Sequence, residues 1–95
     1  MEMYNPCHPG ELLREGFINY LHMSMAEAAL KLGVSRQNLS DIVNCKRAIT
    51  PVMALRIAKA FNSDPELWLN MQTKYDLWHA RQTANLDDVQ VIYKG

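Results

Sequence analysis

The residues between Ser35 and Arg47 have the types and spacing to read DNA. Ser35, Arg36, Gln37, Asn38, Ser40, Asp41, Asn44, Lys46 and Arg47 stand within one short stretch. At about 100° per residue, Leu39, Ile42 and Val43 set the inner face of a helix. Gln37, Asp41 and Asn44 then fall opposite that face, flanked by Asn38 and Ser40, with Arg36 nearer the side. Gln and Asn amides pair with adenine in the major groove, Ser bonds to several bases, and a carboxylate accepts from cytosine N4. Lys46 and Arg47, just past the helix end, are placed to meet phosphates. Any one of these residues alone reads as ordinary solvated surface. An amide-rich face beside basic residues is less often that.

A second constellation is aromatic. Trp68, Met71, Tyr75 and Trp78 recur at i, i+3, i+7 and i+10. At helical spacing, core is the commoner reading. A small domain has difficulty burying two Trp alone, however, and subunit interfaces favour aromatics and Met, so the four are expected at a dimer interface. Catalytic residues are not expected. The chain has no G-x-S-x-G, no P-loop and no paired carboxylates on a recognisable scaffold, and His8, His22 and His79 have no evident Cys or Ser partner. No metal or other cofactor is expected either. Cys7 and His8 are adjacent, while His22, Cys45 and His79 are scattered without metal-ligand spacing. Two cysteines make no disulfide scaffold and read as free thiols in a reducing compartment.

Holding a reading face at a fixed angle takes two helices and a tight turn. Ser24 to Glu27 forms a capping box, and Ala28 and Ala29 are small enough for close approach. Gly33 ends that helix in the left-handed conformation, Val34 plugs the interhelix core, and Ser35 caps the next helix. The unit, about residues 24–44, has the signature of a helix-turn-helix. A plain helical corner is the bland alternative. Ahead of it, Pro9 and Glu11 open a helix that carries Leu12, Leu13, Phe17 and Leu21 to near His22, interrupted by Gly16. Behind it, Thr50-Pro51 opens a helix with Ala54, Leu55, Ala58 and Phe61 inward and Arg56 and Lys59 outward. Asp64-Pro65 starts a fifth helix that runs from about Glu66 towards Arg81. Helix three must end quickly, with Asn44 or Cys45 left-handed. In the tail, Val89, Val91 and Tyr93 alternate like a strand, but Asn85 or Asp87 could cap a short helix.

The chain has 95 residues, 48% hydrophobic and 21% charged, with a formal net charge of zero. These values fit one globular domain over residues 1–95, all-α by its helical start and stop signals, and argue against disorder and collagen-like structure. No apolar run is long enough for a transmembrane helix, and the first residues lack a basic, then apolar, leader pattern, so the expected location is the cytoplasm. Neutrality hides an asymmetry. Lys31, Arg36, Lys46, Arg47, Arg56 and Lys59 face a single acid, Asp41, whereas acids predominate from Asn62 onward. Such a chain can serve two partners of opposite charge.

The runs His8-Pro9-Gly10-Glu11-Leu12-Leu13-Arg14-Glu15, Leu32-Gly33-Val34-Ser35-Arg36-Gln37-Asn38-Leu39-Ser40, Lys46-Arg47-Ala48-Ile49-Thr50-Pro51, Trp68-Leu69-Asn70-Met71-Gln72 and Tyr75-Asp76-Leu77-Trp78 carry a resemblance. Over about residues 8–82 the chain resembles the HigA (VapI-like) antitoxins of the Xre-type helix-turn-helix group. The resemblance implies a five-helix, lambda-repressor-like domain with dimerisation through about residues 64–95. It also implies a homodimer that represses its own operon at a palindromic operator on double-stranded DNA. It further implies neutralisation of a toxin similar to the HigB/RelE-type mRNA endonucleases. Such a toxin must tolerate a polyanion and is expected to be small and basic, with Glu11, Glu15 and the acids beyond Asn62 as candidate contacts. A stand-alone repressor without a toxin is the alternative. Two positions depart from the family pattern: Cys45 replaces the usual Gly, and Asp41 puts an acid on the reading face.

Overall fold

The computed structural model describes residues 5–95, and all its regular elements are helical. They are α1 (Pro9–Leu12), which runs on into a π-helical segment (Leu13–Ile18), then α2 (Met25–Leu32), α3 (Arg36–Val43), α4 (Pro51–Phe61) and α5 (Pro65–Thr83). Side chains cap the starts of α2 to α5. Ser24 Oγ accepts from Glu27 N–H at 3.0 Å, Ser35 Oγ from Asn38 N–H at 3.0 Å and Thr50 Oγ1 from Met53 N–H at 3.2 Å. Asp64 accepts from Glu66 N–H at 3.1 Å, with Pro65 at the first helical position. Each cap satisfies an otherwise orphaned donor.

The helix ends are equally regular. A left-handed residue follows α2 (Gly33), α3 (Cys45), α4 (Asn62) and the first helical segment (His22). In each case the next N–H reaches back five residues: Val34 to Ala29, Lys46 to Asp41, Ser63 to Ala58 and Met23 to Ile18. This is the Schellman ending, which satisfies the last carbonyls of a helix. Only one of the four uses glycine, so only that one is conspicuous in the sequence.

Leu13, Ile18, Leu39, Ile42, Ile57 and Trp68 make up the centre of the core. α3 buries Leu39, Ile42 and Val43 as its periodicity predicts. Two other helices present different faces from those expected. In the first, Asn19 N–H bonds to Arg14 O, five residues back. The widened turn carries one extra residue and rotates the chain beyond it. Ile18 becomes buried, and Leu21 is left 52% exposed. In α4 the buried residues are Met53, Ala54 and Ile57, with Ala58 and Phe61 half-buried and Leu55 facing out. Residues 84–95 form neither strand nor helix. They contain a turn closed by Val89 N–H to Leu86 O, and all twelve are exposed. No helix of the described residues is long and apolar enough to cross a membrane.

Candidate nucleic-acid interface

Two contacts hold the end of α3 against the first helical segment, and others fix the turn before it and the loop after it. At the start of α1, His8 is buried and its Nδ1 accepts Gly10 N–H at 2.9 Å. Burial pulls the imidazole below its ordinary pKa of 6.5, against the opposing pull of Asp76 and Glu11, which favours the neutral ring this cap needs. Gly10 then lies directly on the end of α3: a Cβ there would sit 1.9 Å from the Ile42 carbonyl oxygen. Arg14 Nη1 donates to Val43 O at 3.1 Å. On the other side, Arg56 Nη1 donates to Leu32 O at 3.2 Å and to Gly33 O at 3.4 Å, tying α4 to the turn between α2 and α3. The loop after α3 is held by Gln72, whose Oε1 accepts Ile49 N–H at 2.9 Å while its Nε2 donates to Asp76 Oδ1 at 2.9 Å. None of these polar anchors follows from hydrophobic periodicity. In the sequence, the H-P-G-E run and the Gln four residues beyond Trp68 are visible only as parts of a resemblance.

The outer surface of α3 gathers the predicted reading residues. Ser35, Arg36, Gln37, Asn44, Lys46 and Arg47 lie on or beside it, all of them exposed, and Asn38, Ser40 and Asp41 are half-buried. The face is internally paired. Gln37 Nε2 donates to Asp41 Oδ1 at 2.9 Å, and Asn44 Nδ2 donates to Ser40 Oγ at 3.3 Å. Arg47 lies 3.5 Å from Asp41 Oδ2. The acid on this face is thus matched by a cation of its own surface. Asn38 Oδ1 is enclosed without a hydrogen-bond partner among the described residues. It borders a cavity of about 200 Å³ between α3 and the start of α4, lined also by Arg47, Thr50 and Met53. Of the six cations from Lys31 to Lys59, Lys31, Arg56 and Lys59 line a groove between α2 and α4.

The aromatic stripe divides. Trp68 is fully enclosed in the core of its own chain, where Phe17 packs on it at 5.3 Å and its Nε1–H donates to Ser63 Oγ at 3.0 Å. A side chain that buries itself within one subunit is not an interface residue, so the expectation for Trp68 is corrected. Met71, Tyr75 and Trp78 remain half-buried along α5. Tyr75 stacks edge-on against His8 at 4.8 Å and lies 4.2 Å from His79, which Trp78 flanks at 5.1 Å.

Cys45 is the left-handed residue at the end of α3, with φ of 64°, while Asn44 stays at φ of −94°. A Cβ in that region crowds the following carbonyl and costs roughly 1 kcal/mol. Cys45→Gly is therefore expected to stabilise the domain by up to about 1 kcal/mol, less the extra unfolded-state freedom of glycine. Thermal denaturation measures this, and a melting temperature lowered by several degrees would contradict the assignment. Burial and the nearby Glu11 push the thiol above its ordinary value, with Arg14 opposing and Cys7 adding. Cys45 accordingly lacks the depressed pKa that a solitary thiolate sensor needs.

A short capped helix, a Gly turn and an exposed polar helix held from both sides define a helix-turn-helix protein. A family profile described as Helix-turn-helix matches residues 21–68. Virulence-associated protein A' of Dichelobacter nodosus is 44% identical over 93 residues, 97% of this chain and 79% of that protein. Among solved structures, an addiction module antidote protein of a HigA family from Coxiella burnetii superposes with a TM-score of 0.84 at 35% identity, covering 95% of this chain and all of that one. The Pseudomonas aeruginosa antitoxin HigA with higBA promoter gives a TM-score of 0.78 at 38% identity, covering 81% and 84% of the two chains. The chain belongs to the HigA (VapI-like) antitoxins of the Xre-type helix-turn-helix family.

Proposed function

We propose that the protein binds its own operator through the outer face of α3, as a cytoplasmic homodimer, and neutralises a cognate toxin by direct contact. The observation that carries the DNA reading is the placement of Gln37, Asn38, Ser40, Asp41 and Asn44 on one surface, with Lys46 and Arg47 at its end. The relative solved with higBA promoter supports the same use of the fold. Base-edge donors and acceptors supply sequence discrimination, while the exposed cations neutralise phosphates. Two-fold symmetry would set two such helices about 34 Å apart, one turn of DNA. The half-buried Met71, Tyr75 and Trp78, together with the exposed apolar residues of the tail, support dimerisation through α5 and residues 84–95.

Toxin neutralisation rests on family membership and on charge. A HigB/RelE-type nuclease that works on the ribosome is expected to be basic, and Glu11, Glu15 and the acids beyond Asn62 are available to it. Glu15 is exposed and paired with Arg14 at 2.9 Å. A stand-alone repressor would share every feature of the DNA face and lack a copurifying toxin.

Lys46→Ala and Arg47→Ala test the phosphate role. Each is expected to weaken binding to promoter and random DNA alike and to flatten the log–log salt dependence by about 0.9. Arg47→Ala should cost more, because it also leaves Asp41 unmatched beside the phosphates. Fluorescence anisotropy across a salt series reads both effects. Unchanged salt slopes in both variants would remove these residues from the interface.

A further inference from the structure

Three cations from two helices line one groove. Lys31 comes from α2, and Arg56 and Lys59 stand one turn apart on α4. The groove has a volume of about 410 Å³, within the usual range of small-molecule sites, and no carboxylate lines it. Leu30 from α2 and Ala60 from α4 add apolar wall. Among the described residues, none of the three cations forms an ion pair. Glu27, one turn before Lys31, lines the neighbouring cleft instead. Like charges around one groove repel each other, and an anion seated among them removes that cost.

Arg56 is already held in place. Its Nη1 donates to Leu32 O at 3.2 Å and to Gly33 O at 3.4 Å. A Cβ on Gly33 would lie 2.7 Å from Nη1, so the glycine makes room for the guanidinium. The carbonyls that end α2 oppose an anion, and Arg56 covers two of them. Its Nε and Nη2 make no hydrogen bond among the described residues and are left for a ligand. A guanidinium offers a rigid fork that suits phosphate oxygens, whereas Lys31 and Lys59 supply mobile point charges.

We propose that this groove binds a small polyphosphate through its pyrophosphate group, whether borne by a nucleotide or free in solution. Three cations exceed the charge of about −2 on a phosphate monoester and suit the greater charge of a pyrophosphate. The volume leaves space beside Leu30 and Ala60 for an apolar ring. The groove shares no lining residue with the candidate DNA face. Arg56 touches both the ligand and the turn before α3, so occupancy stabilises the helix-turn-helix.

The test titrates the full chain with pyrophosphate and with ADP, in magnesium-free buffer at about 0.15 M ionic strength, by calorimetry and thermal denaturation. Sulfate at equal ionic strength is the control. The expected result is one ligand per chain with a Kd below about 1 mM, and a melting temperature several degrees higher at saturation. Sulfate should do neither. Lys31 and Lys59 are exposed, so Lys31→Ala and Lys59→Ala should fold normally. Each should weaken binding at least about tenfold, the loss of one charge-assisted hydrogen bond. Arg56→Lys keeps the charge, loses the fork and should weaken binding similarly. Lys46→Ala, altered on the candidate DNA face, should bind pyrophosphate as the parent does. Tighter binding of ADP assigns the site to a nucleotide, and equal or weaker binding of ADP assigns it to the free ion. The proposal is overturned if neither ligand saturates, if sulfate matches pyrophosphate, or if Lys46→Ala loses as much affinity as Lys31→Ala.

Discussion

Gly10→Ala is expected to destabilise the domain by about 3 kcal/mol, an overpacking penalty at the upper end of the usual range. The new methyl would meet the Ile42 carbonyl oxygen at 1.9 Å and its carbon at 2.8 Å. Neither atom can swing aside. The oxygen is already fixed by Cys45 N–H, and Arg14 holds the next carbonyl of α3. Relief requires α1 to lift off α3, which exposes Leu13 and Ile42, and the methyl also lies 3.0 Å from His8 Nδ1. For a domain of this size the melting temperature should fall by roughly 10–20 °C. Gly16→Ala is the internal control. Its methyl meets only the end of the Leu12 side chain, at 2.9 Å, which can rotate. That variant should stay near the parent. A Gly10→Ala protein melting within a few degrees of the parent would show that the α1–α3 clamp is looser than described.

Trp68→Ala should be comparably severe, about 3–5 kcal/mol, because it empties the largest fully buried side chain of the core. It also strands the Ser63 hydroxyl and removes the surface on which Phe17 packs. With total stability of small domains near about 5–15 kcal/mol, a substantial unfolded fraction is expected at physiological temperature. The prediction separates a core role from an interface role. Loss of a core side chain lowers the unfolding midpoint equally at every protein concentration. Loss of an interface side chain shifts dimer dissociation and leaves the dilute monomer as stable as before. Denaturation at two widely separated concentrations distinguishes them.

The helix-turn-helix is legible in the sequence because its signals are local. Ser24, Gly33 and Ser35 mark starts and a stop by backbone chemistry alone, and Leu39, Ile42 and Val43 leave one face of α3 outward. The first helix departs from expectation at Leu21 because a periodicity of 3.6 residues cannot foresee a π-turn. Leu55 departs from it because Met53 and Ile57 offer an equally periodic face, and only packing against α2 and α5 selects between them. Trp68 illustrates a different gap. Its spacing with Met71, Tyr75 and Trp78 is consistent with core or interface, and α5 changes character along its length, from the enclosed Trp68 to the half-buried residues beyond. The polar clamps of His8, Arg14, Arg56 and Gln72 depend on partners 2 to 29 residues away. No local rule finds the long-range ones. The candidate DNA face needs no such partners, since it is defined by what the core leaves exposed.

Binding of the Gln37→Ala variant to promoter DNA from immediately upstream of its own reading frame, against a scrambled duplex at the same salt, tests the central claim most directly. Gln37 is exposed and its side chain bonds to Asp41, on the same face, so its loss should leave the fold intact. The expected result is a loss of roughly 1–3 kcal/mol on the promoter and little change on the scrambled duplex, as a base-reading amide requires. Equal losses on the two duplexes, or full promoter affinity without the Gln37 side chain, would contradict base reading by this face of α3.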